Sequence, residues 1–351
     1  CKKNSISFVI AAVKATIRIL YDVPQLILLP AVGSVVRGVI LIIFLWGGAL
    51  LISAGEVEQV DLTQYVPKGI ARSFSHTQDQ TLYIVYYCFC ALWMWELLLA
   101  LETFVAAYTV TIWYNAPLSD GKKRVPCFPV VRAFFVGLTY HLGSLLFGAI
   151  ILALFRGAYM ILSFFQTQVK GNDEDENNDV ARTTAACCCC CLQCVEQILR
   201  YLNKGAYVMI AVNSDNYCNA ADRALRLMAS NILELGLLNG ATVLFQVLGN
   251  VAIPGLGGYF TYLIVRHLEQ FNDPTSEHFV AQPDMVAVVG AVICFAVSLA
   301  FMSIFDTVSD AMIYAYITDE EWRRENRLPP NPNIPPNLKS LLPESQQIEN
   351  E

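Results

Sequence analysis

Apolar residues run along this chain in blocks far longer than an amphipathic stripe needs. Blocks able to cross ~30 Å of hydrocarbon, which takes about 20 helical residues, recur at 35–54, 82–113, 133–155, 235–265 and 285–305. They lack the period-two alternation of a barrel strand, so each predicts a helix. Ahead of them Phe8, Ala12, Val13, Ile17 and Leu20 recur at helical spacing, with Lys14 and Arg18 four apart on another face. That pattern predicts an interfacial amphipathic helix within residues 1–23. Pro24 and Pro30 interrupt the pattern before the first span. Residues 187–212 read differently, because they mix apolar positions with Glu196, Gln197, Arg200, Asn203 and Lys204.

Charge sorts the connecting segments. Lys122, Lys123, Arg124 and Arg132 make the segment after Trp113 cytoplasmic, while the acidic segments 55–80 and 269–284 fit the outside. The tail from residue 318 is then inside. An outside loop at 55–80 and an inside tail require an odd number of crossings between them, and only four apolar spans lie there. Either 187–212 is a polar sixth crossing, or 133–165 is a re-entrant hairpin. The first is preferred because it leaves the acidic run 172–179 outside; the second puts the cysteine cluster in the cytoplasm. The expected fold is therefore an all-α polytopic integral membrane protein with five clear transmembrane helices plus one polar or re-entrant crossing. A cytoplasmic helix (1–23) precedes a bundle (24–317), and a cytoplasmic Pro-rich tail (318–351) follows.

Composition narrows the classes further. With 55% hydrophobic and 15% charged residues over 351 positions, no ordinary soluble domain fits. A net charge of −7 offers no basic surface for nucleic acid. A chain opening on Cys1 is expected to lack its true N-terminus, and no signal-peptide pattern is visible. Of 12 Cys, Cys187, Cys188, Cys189, Cys190, Cys191 and Cys194 crowd one short stretch. Adjacent cysteines cannot readily converge on one ion, so no metal site is expected. Acylation at Cys187, Cys188 and Cys189, or simple apolar filling, are the alternatives. Residues 319–327 read as a short charged helix, and the Pro-rich stretch 328–336 as an extended linker or a dock for partner subunits.

Candidate chemistry centres on acids inside apolar spans, which normally face a protein interior, a wet cavity or a substrate. Trp93, Glu96, Ala100 and Thr103 share one helix face, with Tyr108 and other aromatics nearby, and aromatic faces beside a carboxylate attract organic cations. The same acid could equally glue helices together by hydrogen bonds. In the last span Met302, Asp306, Asp310 and Tyr314 form a stripe at steps of four; Asp310 and Tyr314 could line an inner vestibule, and Asp306 reads as a solvated helix end. His141 shares a face with Gly137, Ser144 and Gly148, and is either a proton sensor or a packing residue. The substrate-binding set is thus Trp93, Glu96, Thr103, Tyr108, His141, Asp310 and Tyr314. Pro254, Gly255 and Gly257, with Gly249 and Gly258, form either a hinge or a static kink in the fourth span. No catalytic motif and no cofactor motif is present.

Four runs carry a family resemblance: AAVKATIRILYDVPQLILLP (11–30), YHLGSLLFGAIIL (140–152), CLQCVEQILRYLNKGAYVMIAVNSDNYCNAADRAL (191–225) and SDAMIYAY (309–316). In their order they resemble the C-terminal part of the choline transporter-like family, from about Ser7 to Asp319, with the third run the most specific. The resemblance implies a multi-pass transporter in the plasma membrane or an organelle membrane, with ten helices and cytoplasmic termini, moving choline or a related ammonium compound, a small organic cation. Four further spans and a large external loop are then expected upstream of Cys1, or lost by truncation. The competing expectation is a non-transporting structural subunit or scaffold, and an enzyme is a distant third.

Overall fold

The computed structural model describes residues 2–61, 70–119, 122–170, 178–230, 232–274, 276–329 and 331–334. In chain order the elements are α1 (Lys2–Asp22), α2 (Gln25–Ser53), β1 (Glu56–Asp61), β2 (Ile70–Ser75), α3 (Gln78–Asn115), β3 (Leu118–Ser119), β4 (Lys122–Lys123), α4 (Pro129–Tyr140), α5 (Leu142–Lys170), α6 (Asn178–Asn213), α7 (Tyr217–Ser230), α8 (Ile232–His267), α9 (Glu269–Asn272) and α10 (Pro283–Glu325). Five of them contain stretches long and apolar enough to cross a bilayer: Gln25–Ser53, Gln78–Asn115, Leu142–Ser163, Gly240–His267 and Pro283–Glu325. The protein is an all-α multi-pass membrane protein. Its described strands are two small antiparallel hairpins, one pairing Val57 with Phe74 and Val60 with Ala71, the other pairing Leu118 with Lys123.

Local chemistry sets the helix ends. Thr77 and Gln80 form a reciprocal box before α3, in which the Gln80 N–H donates to Thr77 Oγ1 (3.3 Å) and the Thr77 N–H to Gln80 Oε1 (3.0 Å). Two orphan donors of the first turn are satisfied this way. Asn216 Oδ1 accepts from the Asn219 N–H at 3.0 Å and starts α7. Ser214, at φ 59°, stops α6 just before it.

Several boundaries differ from the sequence expectation. Pro24 does separate α1 from α2, but Pro30 lies inside α2. The block 133–155 is two helices that break at His141 (φ −119°, ψ 3°), and the apolar span begins at Leu142. The charged segment 319–327 is no separate helix, since α10 continues to Glu325. In α1 the buried stripe is Ala12, Ala15, Thr16 and Ile19, whereas Ile17 is exposed beside Lys14. Small residues win that face because α1 packs closely on α8 and α10. The acidic residues 172–177 lie outside the described residues.

The chain divides into two compact units. The first comprises residues 1–32, 102–141 and 205–351; the second comprises 33–101 and 142–204. In the first, α8 and α10 pack antiparallel, with Phe245 against Phe305 (5.8 Å between ring centres) and Ser298 Oγ donating to Asn250 Oδ1 at 3.0 Å. Farther along α10, every residue from Thr307 to Ile317 is buried. In the second, Tyr87 donates to the Phe44 carbonyl (3.0 Å), Trp93 Nε1 to the Leu146 carbonyl (3.2 Å), and Asn203 Nδ2 to the Gly148 carbonyl (3.0 Å).

Helix α8 runs unbroken through Pro254. Its glycines do different jobs. A Cβ at Gly257 would run into Cys294, and one at Gly258 would stand 3.0 Å from the Ala291 Cβ and 3.2 Å from the Ala287 carbonyl, whereas Gly255 meets nothing within 4 Å. Small residues at a crossing let membrane helices approach closely, and this is the packing seen at Gly257 and Gly258. Gly258→Val should therefore destabilise the protein by ~1–3 kcal/mol, as overpacking does. Gly255→Ala should be neutral or stabilising by up to ~1 kcal/mol. Thermal unfolding of the two variants in detergent checks the contrast.

Candidate functional site

The acid singled out in α3 has an internal cation. Glu96 is 4% exposed and forms an ion pair with Arg156 of α5. Arg156 also reaches Glu196 Oε1 at 3.3 Å, and Arg200 reaches the same oxygen at 2.5 Å. All four groups belong to the second unit. A substrate ammonium at Glu96 would have to displace Arg156, and Trp93 beside it is already engaged with the Leu146 carbonyl. Arg156, the one basic residue of its apolar span, was the overlooked signal: an arginine at such depth calls for an acid.

The remaining expected residues lie in the first unit. Tyr108 stacks on Phe104 at 5.7 Å, and the His141 ring lies 5.2 Å from that same phenylalanine. Thr103 is half-buried near the same turn of α3. Asp310 and Tyr314 are buried in the enclosed part of α10, 7% and 3% exposed. The α8 residues Pro254, Gly255 and Gly257 are also in this unit. Cys188 is exposed on α6, as are Cys190, Cys191 and Cys194; Cys187 and Cys189 belong to the same helix, but their side chains lie outside the described residues.

The cavity that stands out in the first unit has a volume of about 310 Å³. It opens where α3, α6 and α10 end, beside the middle of α7, and its walls include Tyr114 and Asn115, Asn213, Arg223, and the α10 residues Thr318, Asp319, Glu321, Trp322 and Glu325. A second recess of about 260 Å³ shares Asn213, Arg223, Thr318 and Glu321 with it. Three carboxylates thus face one guanidinium, and Arg223 is itself held by Asp215 at 3.0 Å. Asp310, Tyr314, Thr318, Glu321 and Glu325 follow one another at steps of three and four, on one stripe of α10. Among the described residues no His, Cys, Asp and Glu cluster suits a metal ion.

Asp319 organises one wall. It accepts from Tyr114 Oη (2.9 Å), Asn331 Nδ2 (2.7 Å) and Arg323 Nε (2.9 Å). Arg323 also donates to the Pro329 carbonyl (2.9 Å), and the Leu118 N–H to Asn333 Oδ1 (3.2 Å). The described part of the Pro-rich tail is accordingly folded back onto the first unit, with Asn331 and Ile334 buried. Of the stretch 328–336 expected to be an extended linker or a partner dock, residues 330, 335 and 336 lie outside the described residues.

Next to that wall, Lys123 is buried. Its ammonium donates to the carbonyls of Tyr114 (2.5 Å) and Ala116 (2.9 Å) and lies 5.3 Å and 5.8 Å from the ring centres of Trp113 and Tyr114. Trp113 Nε1 donates to Asp22 of α1 at 2.9 Å. The lysine satisfies carbonyls that the end of α3 leaves orphaned, where a cation is also favoured by the helix dipole. In the sequence this lysine served only to mark the cytoplasmic side, and its burial came from contacts the sequence does not display.

A helical bundle with five stretches long and apolar enough to cross a bilayer defines a multi-pass membrane protein, and its recess is lined by Tyr114, Trp322 and three carboxylates. The chain belongs to the choline transporter-like family: residues 1–321 match the family described as plasma-membrane choline transporter. It is 30% identical over 238 residues to choline transporter-like protein 2 of Dictyostelium discoideum, covering 68% of this chain and 35% of that protein. Choline transporter-like protein 4 of Mus musculus is 30% identical over 233 residues (65% and 31%), and choline transporter-like protein 2 of Homo sapiens is 28% identical over 243 (68% and 33%). The match therefore spans about a third of the length of these curated relatives.

Burial pushes the Lys123 ammonium down from its ordinary 10.5 to about 8; the Arg18 guanidinium adds to the effect and the Asp22 carboxylate opposes it. Between these two values the unfolded chain holds a proton that the folded chain has released. Stability should therefore rise with pH across that window. Melting temperatures measured from pH 7.5 to 10 should climb for the wild type, against the general trend set by Lys123→Met, in which this contribution is removed.

Proposed function

We propose that this chain forms part of a transporter that moves choline or a related ammonium compound across its membrane, with no chemical conversion of the solute. The observation that carries the reading is the α10 stripe. Glu321, Glu325 and Trp322 line the recess together with Tyr114, and the buried Asp310 and Tyr314 continue the α10 stripe inward. An organic cation gains from a carboxylate and from an aromatic face together, and loses less hydration than a metal ion would in doing so. Family membership supports the same solute class. In this reading Asp310 is the inner counter-charge and the recess is the vestibule. Radiolabelled choline uptake by the full-length protein in proteoliposomes tests it. Trp322→Leu should raise KM about two- to five-fold, the size of an exposed cation–π contact, while Asp310→Asn should lower kcat/KM at least ~10-fold, a barrier change of about 1.4 kcal/mol. If both variants match the wild type, the stripe is not the path.

The reading includes six crossings in this chain, with α6 as the polar one. Glu196 and Asn203 of α6 contact Arg156 and Gly148 of α5, and those partners lie within an apolar span. The pairing is antiparallel, because the later residue of α6 meets the earlier residue of α5. A helix so paired shares the depth of its neighbour, and its polar face is satisfied by that neighbour and not by lipid. In a background lacking the native cysteines, a cysteine placed at Asn178 should be labelled by an impermeant reagent from outside and one at Asn213 only from inside. Labelling of both from one side would leave α6 on the membrane surface.

A further inference from the structure

The surroundings of Lys123 form a site and not merely a cap. Two carbonyls converge on one nitrogen, and the rings of Trp113 and Tyr114 stand within 6 Å of it. Trp113 is fixed by Asp22 and Tyr114 by Asp319. The cage would therefore keep its shape when the lysine is truncated. Lys123 retains 8% exposure and its neighbours Lys122 and Arg124 are exposed, so shortening its stem would open the cage from the side of the hairpin.

We infer that the end of α3 is a built binding site for a primary alkylammonium ion, occupied in this protein by its own Lys123 as a tethered ligand. The selectivity follows from the donor count. The two carbonyls require N–H donors, which a primary ammonium has and a quaternary one lacks, whereas the aromatic faces alone would accept either. The inference goes beyond the transport reading and does not depend on it. It also gives the cage a mechanical role: Leu118 of the same hairpin donates to Asn333, so what occupies the cage sets how firmly hairpin and tail are held.

The test is chemical rescue of the full chain in detergent. Lys123→Ala should melt about 5 °C lower, the order expected when a few bonds of a protein this size are lost. Propylammonium chloride at about 100 mM should return several degrees of that loss, by mass action on a weak site. Equal sodium chloride, tetramethylammonium chloride or propanol should not, and Lys123→Met, whose own stem fills the cage, should gain nothing from propylammonium. Rescue by tetramethylammonium as well, or absence of rescue by propylammonium, would overturn the proposal. If Lys123→Ala does not survive extraction, Lys123→Ser is purified in propylammonium, and dialysis against sodium has to unfold it for the proposal to stand.

Discussion

Arg156 sits in an apolar helix, where an unpaired guanidinium costs at least ~2.5 kcal/mol even on lenient insertion scales. Its carboxylate partners come from two other helices, Glu96 of α3 and Glu196 of α6. The second unit can satisfy this one charge only when three helices hold their correct depth. Removing Arg156 would leave the buried Glu96 without the cation it pairs with, which is the costly case for buried ions. The charge thus acts as a register mark more than as a source of stability. Asn203 and Trp93 repeat the device with neutral groups, each donating to a carbonyl of α5.

The first unit meets the same constraint at the ends of its helices. Asp319 accepts three donors drawn from α3, α10 and the tail, and Lys123 returns a cation to the carbonyl end of α3. Polar groups that terminate helices are thus bonded to one another. The recess opens beside this lattice, so the wall formed by Asp319 and Tyr114 is held in place by it. Preorganisation of that kind reduces the ordering cost of binding.

What could be read from the sequence follows from which signals are local. Long apolar blocks are unambiguous, so the five spans were legible, as was the family, through runs such as 191–225. The partners of polar residues were not legible, because pairing is a matter of depth and rotation between helices distant in sequence. Glu96 alone suggests a site; Glu96 with Arg156, 60 positions on, is an internal bond. The glycines of α8 likewise suggested a break, since propensity is counted within one helix, whereas α10 explains Gly257 and Gly258 from outside it. Proline at 30 was read as a stop for the same reason: a membrane helix tolerates it when its surroundings satisfy the backbone. Asp319 was read only as the start of a short charged helix, because Asn331, which returns to it, lies beyond two prolines.

The length of α10 has a consequence of its own. Its 43 residues make a rod of about 65 Å, roughly twice the hydrocarbon thickness. The half near Val288, Val289 and Val292 presents exposed apolar side chains, while the half from Thr307 to Ile317 is enclosed by protein. A helix whose apolar stretch no longer matches the bilayer tilts. In a continuous rod, a tilt of about 10° about its middle moves the far end by about 5 Å, and that end carries Trp322 and Glu325. Bilayer thickness would then set the width of the recess, making the lipid composition of the membrane a determinant of how readily its mouth admits a solute.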